Sequence, residues 1–280
     1  MILVTGITGQ LGYDVTKELE RRGEDFIGTT RNEINLSDPE SAKDFILEKN
    51  PSAVIHCAAY TAVDKAEEEA ELALTVNGLA TRKIAEACRE IGAKMLYVST
   101  DYVFGGSGDT PYEVSDEKEP QNIYGKSKLL GEDSVIALVR NYFIVRISWV
   151  FGNNGKNFVK TMLNFDKRRK KISVVDDQIG SPTYTADLAP LLVDMINSDK
   201  YGIYHATNEG FCSWAEFAEE IFKQSGREIT VEKIPTENYP TPAKRPLNSR
   251  LSKASLDKAG FNRLPTWQDA LTRFLAEYKK

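Results

Sequence analysis

Short apolar runs alternate with longer amphipathic segments through the first half of the chain. The apolar runs predict strands at residues 2–5, 26–29, 53–57, 95–99 and 143–147. The segments between them predict helices at residues 9–22, 41–49, 70–91 and 124–138. Leu11, Val15 and Leu19 form one apolar stripe on the first helix. Strands separated by helices predict parallel βαβ units, so we expect an α/β fold with a doubly wound parallel sheet.

The regular alternation of predicted strands and helices ends after residue 151. Short strands are predicted at residues 172–175 and 229–234, and helices at residues 185–196 and 214–224, with several prolines between residues 235 and 246. This pattern predicts a smaller mixed α/β lobe over the edge of the sheet. We therefore expect a main domain at residues 1–150, to which segments at about 176–200 return, and a second lobe at residues 151–280.

Composition narrows the class of protein. The 280 residues are 41% hydrophobic and 28% charged, which is ordinary for a globular protein. No apolar run reaches the roughly 18 residues that a membrane span needs, and the start of the chain has no signal-peptide pattern. The net charge of -5 argues against general affinity for nucleic acid. We expect a cytoplasmic protein with no membrane or nucleic-acid partner.

The cysteines and histidines predict no metal site and no disulfide framework. Cys57, Cys88 and Cys212 are odd in number and widely spaced, and His56 and His205 cannot supply a site alone. The basic run at residues 167–171 is interpreted as a solvated helix end, where cations are favourable.

A glycine-rich loop links the first strand to the first helix. Gly6, Gly9 and Gly12 would allow a tight turn and let the backbone approach a diphosphate at the helix N-terminus. A purely structural turn is the alternative, but the position directly after the first strand favours dinucleotide binding. The candidate phosphate-binding residues are Gly6, Thr8, Gly9, Gln10, Leu11 and Gly12.

The end of the second strand bears on the choice of cofactor. Sites that prefer NAD usually carry a carboxylate there, which binds the ribose 2′-hydroxyl. This chain has Arg31, which suits a 2′-phosphate, so the sequence favours NADPH. Glu33 lies close by, and NADH therefore remains an alternative.

Tyr124 and Lys128 lie four residues apart in a predicted helix and share one face. A lysine close to a phenol favours the phenolate, so we expect Lys128 to lower the pKa of Tyr124 towards the working pH of a general acid. The pattern alone is weak, because such pairs also occur on solvated helices.

Together these features resemble the extended short-chain dehydrogenase/reductase family. Further segments narrow the match: AAYTAVDKAE at residues 58–67, STDYVFG at 99–105, YGKSKLLGE at 124–132, RISWVFG at 146–152, DQIGSPT at 177–183 and RPLNS at 245–249. In this order and spacing they resemble the dTDP-4-dehydrorhamnose reductase family over essentially the whole chain. The resemblance implies a Rossmann-type sheet with a substrate-binding lobe.

The resemblance also implies roles for individual residues. The catalytic candidates are Thr100, Tyr124 and Lys128. Further cofactor-binding candidates are Arg31, Asn35, Leu36, Ala58, Ala59, Tyr60, Thr61, Ser99, Tyr124 and Lys128. The substrate-binding candidates are Thr100, Asp101, Tyr102, Trp149 and Arg245. Core packing of Trp149, a surface ion pair at Arg245 and a turn at Asn35 are the alternatives.

The activity implied is NAD(P)H-dependent reduction of a 4-keto sugar nucleotide, most simply dTDP-4-dehydro-L-rhamnose. A sugar-nucleotide epimerase or dehydratase is one alternative, although Tyr102 stands where a dehydratase would have a second acid. A regulatory subunit resembling that of methionine adenosyltransferase is another. Some members of the family are described as magnesium-dependent through a glutamate after the glycine loop. This chain has Asp14 there, so magnesium stays open, as does a homodimer.

Overall fold

A six-stranded parallel sheet forms the centre of the molecule, described by a computed structural model that covers residues 1–165 and 170–278. The strands, in spatial order, are Phe26–Thr29, Ile2–Thr5, Ala53–His56, Lys94–Thr100, Tyr142–Ile147 and Gly202–His205. All neighbours pair in parallel. The doubly wound α/β sheet is thus confirmed. The chain order reverses at Ile2–Thr5, so the ligand crevice of such a sheet opens between this strand and Ala53–His56.

Helices cover both faces of this sheet. Gln10–Arg22 and Thr185–Ile196 bury Leu11, Val15, Leu19, Leu188 and Leu192 against one face. The other face is covered by the helices Pro39–Lys49, Ala80–Ile91 and Ile123–Leu138. Both faces of the sheet are therefore shielded from water. This explains why the strand sequences are continuous apolar runs and do not alternate between apolar and polar residues.

The helix predicted at residues 70–91 is interrupted. It consists of Ala70–Leu74, a π-helical turn at Thr75–Leu79 and Ala80–Ile91, and the short helix Val63–Glu68 precedes it. A π turn inserts an extra residue into the helix, and such turns are frequent at functional sites. Here it carries the buried Asn77, whose contacts are described below.

The chain returns to the sheet after leaving it. Gly202–His205 pairs with Tyr142–Ile147 as an edge strand. This strand was not predicted from the sequence, because it has only four residues and just two of them, Ile203 and Tyr204, are apolar. The division of the chain at residue 150 stays a prediction.

The second lobe is built from short elements around a separate aromatic core that contains Phe151, Phe217, Trp267 and Phe274. Its strands are Val150–Phe151, Lys171–Val175, Ile179–Gly180, Thr183–Tyr184, Cys212–Ser213 and Thr230–Ile234. The helices of the chain not yet described are Phe158–Leu163, Trp214–Ser225, Ala254–Ala259 and Trp267–Tyr278. Single 3₁₀ turns lie at Asp101–Val103, directly after a strand of the central sheet, and at Thr236–Asn238.

Three further predictions can be compared with this fold. The helix end expected at residues 167–171 falls mostly outside the described residues, and Lys171 itself begins a strand and pairs with Glu232. Cys57, Cys88 and Cys212 are free thiols. Among the described helices, none combines the length and the apolar character that crossing a bilayer requires.

Candidate active site

A cavity of about 1010 Å³ opens at the carboxyl ends of the central strands. It is lined by every candidate residue of the sequence analysis except Arg245, including Thr100, Tyr124 and Lys128. The sheet brings these residues together, because the carboxyl ends of parallel strands meet at one edge.

The glycine-rich loop forms one end of this cavity. Gly6 has a φ of +74°, and its carbonyl oxygen accepts a hydrogen bond from the Gly9 N–H at 2.9 Å. A Cβ atom at Gly12 would lie 2.3 Å from the Gly6 carbonyl oxygen. Only glycine therefore fits this turn, which presents the N-terminus of the helix Gln10–Arg22 to the cavity. Such a cradle fits the diphosphate of a dinucleotide.

Arg31 follows the strand Phe26–Thr29 along the chain and lines the cavity. The nearby Glu33 carboxylate is occupied elsewhere, since it accepts hydrogen bonds from the Thr30 N–H at 2.7 Å and the Thr30 hydroxyl at 2.6 Å. These bonds also lower the pKa of Glu33 and keep it ionised. Of these two residues, Arg31 is therefore the charged side chain at the rim of the cavity, whereas the Glu33 carboxylate stabilises the turn that begins at Thr30.

Asn77 fastens the loop after the third strand to the helix that carries Tyr124. Its amide accepts a hydrogen bond from the Tyr60 N–H at 2.8 Å and donates to the Tyr60 carbonyl oxygen at 3.0 Å. The same amide nitrogen donates to the hydroxyl of Ser127 at 2.9 Å. One buried side chain therefore fixes the spacing between the cofactor-facing loop and the residue next to Lys128.

Asn77→Ala should destabilise the protein and widen the site. The substitution removes the hydrogen bonds of the Asn77 amide with the Tyr60 backbone and with Ser127, each of which contributes about 0.5–1.5 kcal/mol. We expect a lower midpoint of urea unfolding together with weaker NADPH binding. Asn197→Ala, which removes an exposed bond to Glu24, is the matched control. Unchanged NADPH affinity in Asn77→Ala would contradict the positioning role.

Tyr124 is enclosed beside Thr100 at the end of the fourth strand. Burial raises the pKa of the phenol, and a hydrogen bond with Thr100 opposes that rise only in part. The expectation that Lys128 would lower the pKa of Tyr124 is therefore wrong for the chain itself. Desolvation is the largest cause and Lys128 is not among the groups that lower the pKa, so the phenol stays protonated at neutral pH.

Lys128 points its ammonium at the backbone and not at the phenol. Its Nζ donates to the Val98 carbonyl oxygen at 2.8 Å and lies 4.1 Å from the centre of the Tyr97 ring. Burial lowers the pKa of Lys128 to about 7, while the Glu132 carboxylate favours the charged form. The charge of Lys128 is consequently poised close to neutral pH.

A buried ion pair between Arg146 and Glu132 lies close to Lys128. Arg146 and Glu132 are fully buried, and their charged atoms approach to 2.7 Å between Nη2 and Oε2 and 2.8 Å between Nε and Oε1. The Ser99 hydroxyl also donates to Glu132, at 2.5 Å. Ser99 precedes Thr100, so this network joins the fourth strand, the fifth strand and the Tyr124 helix directly under the catalytic candidates.

Three of the substrate candidates, Asp101, Tyr102 and Trp149, also line the cavity. Asp101 accepts a hydrogen bond from the Thr100 hydroxyl at 3.0 Å, and burial raises the pKa of Asp101 to about 6. The ring of Tyr102 meets that of Tyr124 edge to face, with centroids 5.5 Å apart. Trp149 has a φ of +49° and stacks on Trp214 at 3.7 Å. A left-handed conformation in a bulky residue is held by its surroundings, here by the stack.

Arg245 lies beside the cavity without lining it. Its guanidinium pairs with the Asp64 carboxylate at 2.6 Å and donates to the Tyr102 hydroxyl at 3.2 Å. The ion pair anticipated as an alternative is thus present, and it directs Arg245 towards Tyr102. The expected contact between Arg245 and the nucleotide diphosphate stays a prediction.

Asp14 is engaged with the chain itself. Its carboxylate accepts a hydrogen bond from the Thr185 hydroxyl, and burial raises the pKa of Asp14. Among residues 1–165 and 170–278, no three histidine, cysteine or acidic side chains form a group that could hold a metal ion.

Asn77, Glu132, Arg146 and Asp64 were not identified from the sequence as site residues. Glu132 lay within a quoted motif, but its partner is fourteen positions away on another element. An asparagine in a long predicted helix gives no signal until the π turn aims it inwards. These contacts are tertiary, and single-sequence patterns do not reveal them.

The doubly wound sheet, the glycine cradle and the Tyr124–Lys128 helix at one crevice define a protein of the short-chain dehydrogenase/reductase class. Comparison with known proteins agrees. A solved dTDP-4-dehydrorhamnose reductase from Clostridium acetobutylicum is 40% identical, with a TM-score of 0.97 over 100% of this chain and 99% of that one. Another, from Bacillus anthracis in complex with NADP, is 42% identical, with a TM-score of 0.95 over 99% and 98%.

A curated relative, the spore coat polysaccharide biosynthesis protein SpsK of Bacillus subtilis, is 41% identical over 99% of this chain and 97% of its own length. The family model described as "RmlD substrate binding domain" matches residues 1–280. The chain belongs to this family, and the resemblance seen in the sequence is confirmed.

Proposed function

We propose that this protein reduces the 4-keto group of dTDP-4-dehydro-L-rhamnose with NADPH and forms dTDP-L-rhamnose, as a step of deoxysugar biosynthesis. Membership of the family over the whole chain supports this, as do its likeness to two solved reductases and the NADP in one of them. The observation that carries the proposal is the position of Tyr124 beside Thr100 in the wall of the cavity that the glycine loop opens onto.

The chemistry needs a proton donor next to the reacting carbonyl. NADPH, when bound, supplies the hydride. Tyr124 donates its proton to the developing alkoxide, which is a stronger base than a phenolate, so the transfer is downhill even though burial raises the pKa of the phenol. The Thr100 hydroxyl lies next to the phenol, and by turning its proton from Asp101 to the same oxygen it acts as an oxyanion donor.

Lys128 holds the ribose end of the cofactor and supplies positive charge near Tyr124. With a pKa of about 7, it shifts towards the charged form when a negative charge develops nearby. The phenolate left after proton transfer is such a charge. Lys128 is therefore placed to stabilise the product state of Tyr124, although it does not lower the pKa of the resting phenol.

The remaining candidates are assigned to the sugar nucleotide. Asp101, Tyr102 and Trp149 line the same cavity as Thr100. They offer a polar rim and an aromatic wall to the sugar. Arg245 binds the diphosphate of the sugar nucleotide. To do so, its guanidinium leaves the Asp64 carboxylate and pairs with a phosphate group instead.

Arg31 should decide the preference for NADPH over NADH. We expect Arg31→Ala to raise the KM for NADPH by roughly 10-fold or more, as loss of a hydrogen bond to a charged group does. The KM for NADH, which lacks the 2′-phosphate, should change little. Arg140→Ala, an exposed arginine outside the cavity, is the matched control. Equal effects on both cofactors would contradict the assignment.

The direct test is NADPH consumption, followed at 340 nm with dTDP-4-dehydro-L-rhamnose and with its UDP analogue. We expect net oxidation of NADPH and faster turnover with the dTDP substrate. An epimerase or dehydratase would retain NAD and recycle it, and a regulatory subunit would oxidise no NADPH with either sugar. Either outcome would overturn the proposal.

Three further points stay predictions that the same preparation can test. Turnover in the presence of a chelator decides whether magnesium takes part, given that Asp14 already bonds to Thr185. Light scattering decides whether the protein is a homodimer. Fractionation of cells decides whether it is cytoplasmic.

A further inference from the structure

The segment at residues 152–157 extends from the second lobe across the glycine-rich loop. The side-chain amide of Asn154 donates to the Thr8 carbonyl oxygen at 2.8 Å and to the Gly9 carbonyl oxygen at 3.3 Å. The amide of Asn157 donates to the Gln10 side-chain oxygen at 2.8 Å. Two asparagines therefore attach this segment to the loop that forms the phosphate cradle.

The segment is also fixed from its own side. The ammonium of Lys160 donates to the carbonyl oxygens of Asn153 at 2.7 Å and Gly155 at 2.9 Å. Asn157 caps the helix Phe158–Leu163 by accepting from the Lys160 N–H at 3.0 Å. The turn at Gly155, with a φ of +69°, is thus held by bonds on both sides.

These bonds leave Lys156 in the wall of the cofactor cavity, next to Gly155. Among the described residues, no carboxylate forms an ion pair with its ammonium, whereas Lys160 is committed to backbone carbonyls. The glycine loop itself contains no cation between residues 6 and 12. A diphosphate seated on that loop would therefore meet no cation of the loop itself, whereas the exposed Lys156 lines the same cavity.

The other cations that line the cavity belong to other elements of the fold. Arg31 follows the strand Phe26–Thr29, and the ammonium of Lys128 donates a hydrogen bond to the Val98 carbonyl oxygen. Lys65 belongs to the helix Val63–Glu68, which follows the third strand. Lys156 is the one that directly adjoins a segment bonded to Thr8, Gly9 and Gln10.

We propose that the 152–157 segment is a clamp from the second lobe, in which Lys156 binds the diphosphate of the nicotinamide dinucleotide. This inference rests on the proposed use of such a cofactor. It assigns cofactor binding to a part of the chain that lies beyond the predicted boundary at residue 150, and it makes the second lobe a partner in cofactor affinity.

The test is a titration of NADPH and of NADH, followed by nicotinamide fluorescence at low salt and without any sugar. Lys156→Ala should raise both dissociation constants by the same factor, roughly 10-fold, because the diphosphate is common to both cofactors. Lys156→Arg keeps the charge and should stay within about 3-fold of the wild type. The loss in Lys156→Ala should shrink as salt screens the interaction.

Lys258→Ala, an exposed lysine outside the cavity, is the control and should leave both constants unchanged. Wild-type affinity for both cofactors in Lys156→Ala would overturn the proposal. So would a loss confined to NADPH, which would assign Lys156 to the 2′-phosphate. Because no sugar is present, this result is separate from failure of the reductase assay, in which NADPH would bind to the wild type but would not be consumed.

Discussion

Replacement of Tyr124 by phenylalanine should lower kcat for reduction of the 4-keto sugar nucleotide by roughly 10²–10⁴-fold, the range that a positioned general acid contributes. The ring and its edge-to-face contact with Tyr102 are retained, so the cavity keeps its shape. The variant loses only the proton donor. Stopped-flow measurement of NADPH oxidation at saturating substrate reports the effect on the chemical step.

Cofactor binding separates loss of chemistry from loss of structure in this experiment. The dissociation constant for NADPH in Tyr124→Phe should stay within about 3-fold of the wild type. Tyr204→Phe is the matched control, because it removes a phenol that bonds to the Lys200 carbonyl oxygen, outside the cavity. Turnover close to that of the wild type in Tyr124→Phe would eliminate this residue as the acid.

Glu132→Leu should be the most destabilising of the substitutions considered. It leaves the guanidinium of Arg146 buried without its counter-charge, and breaking a buried pair in this way costs about 3–5 kcal/mol. We expect a fall in the midpoint of thermal unfolding on the order of 10 °C. Turnover of the folded fraction should also decrease, because Ser99 and Lys128 lose the carboxylate that they face.

Two further variants test whether the unpaired charge is the cause. Glu40→Ala breaks an exposed pair with Lys83 and should cost at most about 1 kcal/mol. The double variant Glu132→Leu with Arg146→Met removes both charges and should be more stable than Glu132→Leu alone. A double variant that is less stable than the single one would contradict the electrostatic explanation.

The strand and helix rhythm of the first half could be read from the sequence because each element carries its own local signal. Apolar runs such as residues 2–5 and the stripe of Leu11, Val15 and Leu19 depend on nothing distant. Gly202–His205 was missed because its place at the sheet edge is decided by pairing with Tyr142–Ile147. The π turn at Thr75–Leu79 likewise depends on tertiary packing.

The cavity could be predicted in outline, because strand order brings the glycine loop, Thr100 and the Tyr124 helix to one edge. Its electrostatics could not be predicted. The sequence suggested that Lys128 lowers the pKa of Tyr124, but the degree of burial decides the direction, and only the packed structure gives it. Arg245 illustrates the same limit, since its pairing with Asp64 spans distant parts of the chain.

The burial of Tyr124 has a functional consequence. The buried phenol is neutral before the reaction and so carries the proton that reduction of a ketone requires, and burial also makes the phenolate left behind costly unless a nearby cation stabilises it. The Lys128 ammonium, poised near neutral pH, can then respond to the phenolate as it forms. Asp101, with a pKa of about 6, adds a second group whose charge changes in the same range.

Transfer of deuterium from labelled cofactor tests the central claim most directly. NADPH carrying deuterium at both C4 positions of the nicotinamide would be incubated with dTDP-4-dehydro-L-rhamnose and the wild-type protein, and the sugar examined by NMR. We predict dTDP-L-rhamnose with deuterium at sugar C4 and an equal amount of NADP. Sugar product without deuterium, or conversion without net formation of NADP, would contradict the assignment of this chain as a reductase.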